Sequence, residues 1–351
     1  MSNVLKDTMQ SAVIPIQLQA RQSDWRTSLW GISPVMPIHF GIDNLIVLQK
    51  DLASTVNNHY VVLADIYGSF TRDLSIEQTQ ERATYFECYL RDVCGLHATY
   101  RKQSDFQVTN EYTSILYAML ASLTVGRARN ALPSNIKQAS HGDSLFALIA
   151  PVMQIADACI INPSVIFADV GQRRIYELAE SSRQRDSSSA SNTSTLRLPP
   201  RRYVPLSHDT QGRPLSQSRS TSRISIHDSP EGIRQKVKKM YAPPPDQPLE
   251  QGRVNALLEY FRWSVFPWMT GPLTLPRARG SWLQCLNYPE FENAYSAGYI
   301  HPADCKDVLT DFLIKRAAKI AAHLQHAPLA WINHDQLGQS LSKEQQDYGS
   351  A

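Results

Sequence analysis

The first half of the chain alternates between two hydrophobic rhythms. Short, mostly apolar runs at 28–32 (SLWGI), 60–64 (YVVLA), 97–100 (HATY) and 164–168 (SVIFA) read as strands, and the continuous run at 60–64 is the pattern of a strand buried on both faces. Between them the apolar residues recur near helical spacing. The stretch 34–52 is a proline-stiffened loop followed by a helix carrying Ile42, Leu45, Ile46 and Leu52. A second helix spans 75–94, with Ser75 as N-cap and Glu77 in its first turn. Helices follow at 112–129 and at 144–158, the latter apolar but carrying Gln154 and Asp157, and another starts at Gly171. The residues 103–107 form the loop leaving the third strand. Strands alternating with helices predict an α/β fold with a parallel sheet and right-handed crossovers.

The rhythm then breaks. Residues 181–200 and 212–223 are rich in Ser, Arg and Pro and cannot bury enough apolar surface to order themselves, and a short run at 203–206 lies between them. Ser229, Pro230 and Glu231 mark a helix start, and that helix runs to Met240 with Arg234, Lys236, Lys238 and Lys239 on it. The proline-rich stretch 242–248 ends it as a stiff linker. From 257 to 324 the pattern is helical throughout. The expected division is an arm at 1–26, a Rossmann-like catalytic domain at 27–180, a Ser/Arg-rich insertion and loop at 181–226, a basic helix and linker at 227–248, an all-helical domain at 249–326 and a tail at 327–351.

Composition adds limits rather than a function. At 351 residues the chain can bury a real core. Its net charge of +3 neither demands nor excludes nucleic acid, so a local basic face would have to supply any such contact. Five cysteines without metal spacing predict reduced thiols, a cytoplasmic protein and no metal site. No apolar run reaches the ~20 residues of a membrane helix, so no membrane partner is expected.

Several ordered blocks resemble one family. These are PIHFG at 37–41, VVLADIYGSF at 61–70, SDFQVTNEYTSILYAMLASLTVGRAR at 104–129, APVMQIAD at 150–157, VGQRRIYELA at 170–179, HDSPEGIRQKVKKMYAP at 227–243 and NAYSAGYIHPADCKDVLTDFLIKRAAKIAAHL at 293–324. Together they resemble tyrosine–tRNA ligases of the archaeal and eukaryotic type, which are class I aminoacyl-tRNA synthetases. The resemblance implies a Rossmann-like catalytic domain followed by a smaller helical anticodon-binding-like domain, a homodimer joined through 104–129, ATP with magnesium, an amino-acid substrate, and tRNA or aminoacyl-tRNA as partner.

Residue by residue, the resemblance assigns His39 and Gly41 to the HIGH-type signature that handles ATP, with Ile42 in place of its second histidine. Gly212 and Arg213 precede the position of the KMSKS loop, but Pro214 to Ser218 replace it and both lysines are missing. Ser216 and Ser218 are the candidate ATP contacts there, and Arg219 and Arg223 are near enough to substitute for the lysines. The amino-acid pocket is implied to use Asp157, Gln154 and Gln172, with Gly31 beside them and Leu29 where the family has a phenol. Ala150 likewise replaces a tyrosine near the substrate ammonium. Arg234, Lys236, Lys238 and Lys239 are the implied tRNA surface. Three readings stay open: a diverged ligase that activates tyrosine or a related aromatic amino acid, a repurposed relative that forms an amide or ester from an aminoacyl group, and a non-catalytic tRNA- or protein-binding relative.

Overall fold

The computed structural model describes residues 25–71, 74–132, 144–178, 201–215, 220–276 and 280–326. Strand β1 (Thr27–Ile32) pairs in parallel along its whole length with β2 (Asn58–Leu63), from Thr27 opposite Asn58 to Ile32 opposite Leu63. Strand β3 (Thr99–Lys102) flanks β2. On the other side of β1 come β4 (Val165–Asp169) and β5 (Arg201–Val204), also parallel, so the order is β3-β2-β1-β4-β5. The fifth strand, Arg-Arg-Tyr-Val, is an edge strand that begins two residues before the short run seen in sequence. Its charged residues hid it, and an edge position tolerates them.

Alternation along β1 divides the core in two. Leu29 joins an apolar cluster with Val62, Val152, Ile155, Ala156, Ile166 and Tyr176 on one face of the sheet. Trp30 joins another on the opposite face, together with Phe40, Ile46, Val61, Leu257, Phe261, Phe291, Leu309 and Leu313. The C-terminal helices therefore pack on the same apolar mass as the sheet.

Most helices form where the pattern placed them, with instructive exceptions. Helix α1 (Asp43–Ala53) follows a tight turn at Phe40–Ile42. Helix α2 (Asp65–Thr71) lies in a stretch to which the hydrophobic pattern assigned no element. It is short, and besides a local bond from the Ile66 N–H (3.0 Å) its Asp65 carboxylate accepts from the Ser104 N–H (3.1 Å) and the Ser104 hydroxyl (2.6 Å), contacts that only the tertiary fold supplies. Gly68 on α2 matters because a Cβ there would lie 2.6 Å from Val35 Cγ1. Helix α3 (Ile76–Cys88) opens on a reciprocal capping box between Ser75 and Gln78 and widens into a π-helical turn through Val93.

The helix expected at 112–129 is two, α4 (Asn110–Ser122) and α5 (Val125–Ala131). Leu123 and Thr124 are extended, and the Thr124 hydroxyl caps α5 by accepting the Arg127 N–H. A threonine that can cap competes with helix continuation. Helix α6 (Leu145–Ile161) carries Pro151 inside it and ends at Asn162, which is left-handed at φ 48°.

Helix α7 (Pro230–Lys238) starts at the predicted Ser229 cap. Helices α8 (Ala256–Tyr260), α9 (Tyr288–Ser296) and α10 (Pro302–His323) follow. The stretch 257–324 is not helical throughout: β6 (Leu273–Pro276) and β7 (Trp282–Cys285) form a two-stranded antiparallel ladder within it. Leu273 and Leu275 are buried while Thr274 is exposed, a period of two too short to register against the surrounding helices.

A buried ion pair fastens α10 to α1. Both terminal guanidinium nitrogens of Arg316 donate to the Asp43 carboxylate, Nη2 at 3.0 Å from Oδ1, and Nη1 also donates to the Ser264 carbonyl at 3.2 Å. The guanidinium lies 4.0 Å from the Trp268 ring centre and 5.1 Å from that of Phe40. All five cysteines are free thiols, and no described helix is long and apolar enough to cross a membrane.

Candidate functional site

The sheet order reverses between β1 and β4, and ligands of open parallel sheets bind at the carboxyl ends of the strands at such a point. A cavity of about 170 Å³ lies there. Its wall includes Leu29 and Gly31 from β1, Ala150, Gln154 and Asp157 from α6, and Gln172 from the turn after β4. All five pocket residues implied by the resemblance thus reach one cavity, together with Ala150. Alternation along β1 sends Leu29 and Gly31 to the same side, and helical spacing aligns Ala150, Gln154 and Asp157 on one stripe of α6. A Cβ on Gly31 would meet nothing within 4 Å, so that glycine adds open space to the cavity.

Asp157 is the charged group of this site and is almost wholly buried. Its Oδ1 accepts from Gln107 Nε2 and its Oδ2 from Gln103 Nε2, each at 2.7 Å. Gln103 is in turn held by the Tyr67 N–H, which donates to its Oε1 at 3.0 Å. Burial pushes the carboxyl up to about 6, against the pull of the hydrogen bonds from Gln103, Gln107 and Tyr112. Gln154 donates from Nε2 to the Tyr176 hydroxyl at 3.0 Å. The two glutamines that grip Asp157 come from the loop after β3 and had no role in the sequence reading. Their position at a strand's carboxyl end was visible, but not the carboxylate they meet 50 and 54 residues away.

His39 and Gly41 lie outside the wall of this cavity. His39 is buried, and its Nδ1 has no hydrogen-bond partner. Burial, then the charges of Arg223 and Lys236, lower its pKa to about 3, so the imidazole is neutral at pH 7. Gly41 borders a narrow recess with Asn44, His208, Glu259 and Trp263 that has about 10 Å³ of free space, barely one water. Ile42, at the missing second histidine, is part of the apolar core.

Ser216, Ser218 and Arg219 lie outside the described residues. On α7, Lys236 is turned inward: its Nζ donates to the Arg223 carbonyl at 2.8 Å and to Asp228 Oδ2 at 2.7 Å. Arg234 pairs loosely with Glu231 at 3.6 Å, and Lys238 and Lys239 are exposed. Among the described residues no three His, Cys, Asp or Glu side chains converge to hold a metal ion.

A parallel sheet in this order, with a carboxylate-floored cavity at its switch point and helices packed behind it, defines a class I synthetase architecture. The family model for class I tRNA synthetases of the tryptophan and tyrosine type matches residues 26–316, and the chain belongs to that family. It is 28% identical over 298 residues to the tyrosine–tRNA ligase of Methanocorpusculum labreanum, covering 84% of this chain and 88% of that one. The tyrosine–tRNA ligase of Methanospirillum hungatei is 26% identical over 305 residues, covering 84% and 90%. Among solved structures, the tyrosyl-tRNA synthetase of Archaeoglobus fulgidus complexed with L-tyrosine superposes with a TM-score of 0.69 at 21% identity, covering 90% of this chain and 94% of that one. The tryptophanyl-tRNA synthetase of Aeropyrum pernix gives 0.64 at 17%, covering 88% and 81%.

Proposed function

We propose that this chain binds tyrosine or a closely related aromatic amino acid in the β1–α6 cavity, activates its carboxylate with ATP and passes the aminoacyl group to tRNA. One observation carries the reading: a buried carboxylate, Asp157, faces the switch-point cavity of a synthetase-family fold. With a pKa near 6 it is ionised at neutral pH and accepts hydrogen bonds. It therefore favours a side chain that ends in a donor, such as a phenol, over phenylalanine.

In activation, a carboxylate oxygen of the amino acid forms a bond to the α-phosphorus. The bond to the bridging oxygen breaks and pyrophosphate leaves with the electron pair. In transfer, a terminal hydroxyl of the tRNA attacks the aminoacyl carbonyl, AMP leaves, and the hydroxyl proton passes to AMP or water. The protein's part is to position the reactants and stabilise developing charge. Asp157 orients the side chain, the Gln154 and Gln172 amide oxygens receive the ammonium, and the neutral His39 offers one ring N–H to a phosphate oxygen. Magnesium would come with the nucleotide phosphates, and no step is assigned to it. Ser216, Ser218 and Arg219 are assigned to the same nucleotide. Arg234, Lys238 and Lys239 are the surface we assign to tRNA phosphates, and exposed Val108, Tyr117 and Val125 on and beside α4 and α5 the face for a second copy of the chain.

Amino-acid-dependent ATP–pyrophosphate exchange, run across aromatic amino acids together with tRNA charging, tests the reading. Exchange and charging with tyrosine are expected. Exchange without charging would point to another acceptor, and neither exchange nor tyrosine binding would remove the reading.

Two further outcomes follow from the cavity. Gly31→Val fills open space without backbone strain, so the melting temperature stays close to wild type while tyrosine binding, followed by calorimetry, weakens by on the order of 10-fold or more. Affinity also depends on pH. The bound phenol needs the ionised Asp157 as acceptor, so tyrosine affinity is level above about pH 6 and falls as pH drops below the folded-state pKa. Conformational stability moves the other way: a raised carboxylate pKa means the folded state binds the proton more tightly, so this group adds stability as pH falls from about 6 toward 3.8. Titrations of affinity and melting between pH 5 and 8 check both signs.

A further inference from the structure

We infer that the Ser33 hydroxyl binds the α-carboxylate of the amino acid and so holds the nucleophile of the activation step; this rests on the amino-acid-binding reading above. Ser33 follows β1 directly and lines the same cavity as Leu29 and Gly31. Its hydroxyl oxygen is shielded from solvent and has no hydrogen-bond partner. Buried hydroxyls are ordinarily paired, and leaving one unpaired costs free energy. An orphan on a cavity wall therefore marks a place where a ligand atom completes the bond. The segment around it is held in place. The Ile32 carbonyl accepts the Ala64 N–H at 2.9 Å, and the Val35 carbonyl accepts from Arg82 Nη1 at 3.2 Å.

The fold decides which end of the amino acid Ser33 meets. Just beyond α6, the Ser164 N–H donates to the Thr27 carbonyl at 2.9 Å, so α6 ends beside the start of β1. Strand β4 comes next and is parallel to β1, so α6 runs opposite to β1. Asp157, late in α6, therefore lies toward the Leu29 end of the cavity, and Ala150 toward the Ser33 end. A side chain that ends at Asp157 leaves its ammonium and carboxylate near Ser33. The ammonium needs acceptors and the carboxylate needs donors. The Gln154 and Gln172 amide oxygens are the acceptors. Donors are scarce: among the described residues no lysine or arginine lines the cavity. Gln103 Nε2 is spent on Asp157, and Gln154 Nε2 on the Tyr176 hydroxyl. The Ser33 hydroxyl is the donor left with nothing else to bond.

One carboxylate oxygen accepts from Ser33, and the other keeps its lone pairs free to form the bond to the α-phosphorus. A neutral hydroxyl orients the carboxylate without neutralising it, and its proton stays on Ser33 throughout. The test measures calorimetric binding of three ligands to wild type and Ser33→Ala: tyrosine, tyramine, which lacks the carboxylate, and desaminotyrosine, which lacks the ammonium. Loss of a hydrogen bond to a charged group is expected to weaken tyrosine and desaminotyrosine about 10- to 100-fold and to leave tyramine unchanged. Because the hydroxyl has no partner in the unliganded chain, Ser33→Ala should melt no lower than wild type. Unchanged tyrosine affinity in Ser33→Ala overturns the proposal, as does an equal loss for all three ligands or a lower melting temperature. A loss for tyrosine and tyramine alone also overturns it, because it places the hydroxyl on the ammonium. Wild type that binds no tyrosine removes the underlying reading, whereas tyrosine binding that ignores Ser33 removes this contact alone.

Discussion

Asp157→Ala is expected to abolish tyrosine binding while leaving the fold largely intact. Alanine removes the carboxylate that accepts from two buried amides and from the substrate donor. A site built to hydrogen-bond its ligand discriminates strongly once a partner is missing, so the loss in affinity is on the order of 10²-fold or more. The stability effect is smaller because two contributions oppose each other. Holding the carboxylate ionised at neutral pH, against a pKa raised from 3.8 to about 6, costs the fold about 3 kcal/mol. Its removal relieves that cost but leaves the Gln103 and Gln107 amides without acceptors, at about 1–3 kcal/mol each. Calorimetric titration with tyrosine, alongside a thermal melt, measures the two separately. Unchanged tyrosine affinity would take Asp157 out of the binding site.

The second large effect is structural and far from the cavity. Arg316→Ala strips the buried Asp43 carboxylate of its partner and is expected to cost roughly 3–5 kcal/mol. At this chain length that corresponds to a drop of about 4–7 °C in melting temperature. Burial pushes the Asp43 carboxyl up, and Arg316 is what opposes that shift. Replacing both partners, as Asp43→Leu with Arg316→Met, restores most of the loss because no uncompensated charge remains. A double variant as unstable as Arg316→Ala alone would show that the stacking of Arg316 on Trp268 and Phe40, rather than its charge, carries the contribution. Asp43 follows directly after the turn that holds Gly41 and Ile42, so the pair also ties the C-terminal helices to the start of α1.

The central strands, the helix with Gln154 and Asp157, and the Ser229-capped helix were readable because each is a strong local pattern: a continuous apolar run, a long helical period, a cap followed by proline. Elements held by distant contacts were not. Helix α2 depends on Ser104 meeting Asp65, the fifth strand is a charged edge, and the β6–β7 ladder shows its period of two over only four residues per strand. The site divides in the same way. Ordered blocks supplied the candidate residues, and Leu29, Gly31, Gln154, Asp157 and Gln172 line one cavity. The partners of Asp157 were not legible, since Gln103 and Gln107 reach it from the loop after β3.

By itself, then, the sequence determined the parallel α/β layer, the family and the half-kept HIGH-type segment, because strand runs, helical periods and short motifs are encoded by neighbours along the chain. Tertiary structure alone decided which side chains grip Asp157, that Ile42 serves the core and that Lys236 is spent on a backbone carbonyl. Each of these is a contact between residues far apart in sequence, fixed by burial and by hydrogen bonds that form only when the sheet, the loop stem and the C-terminal helices pack together.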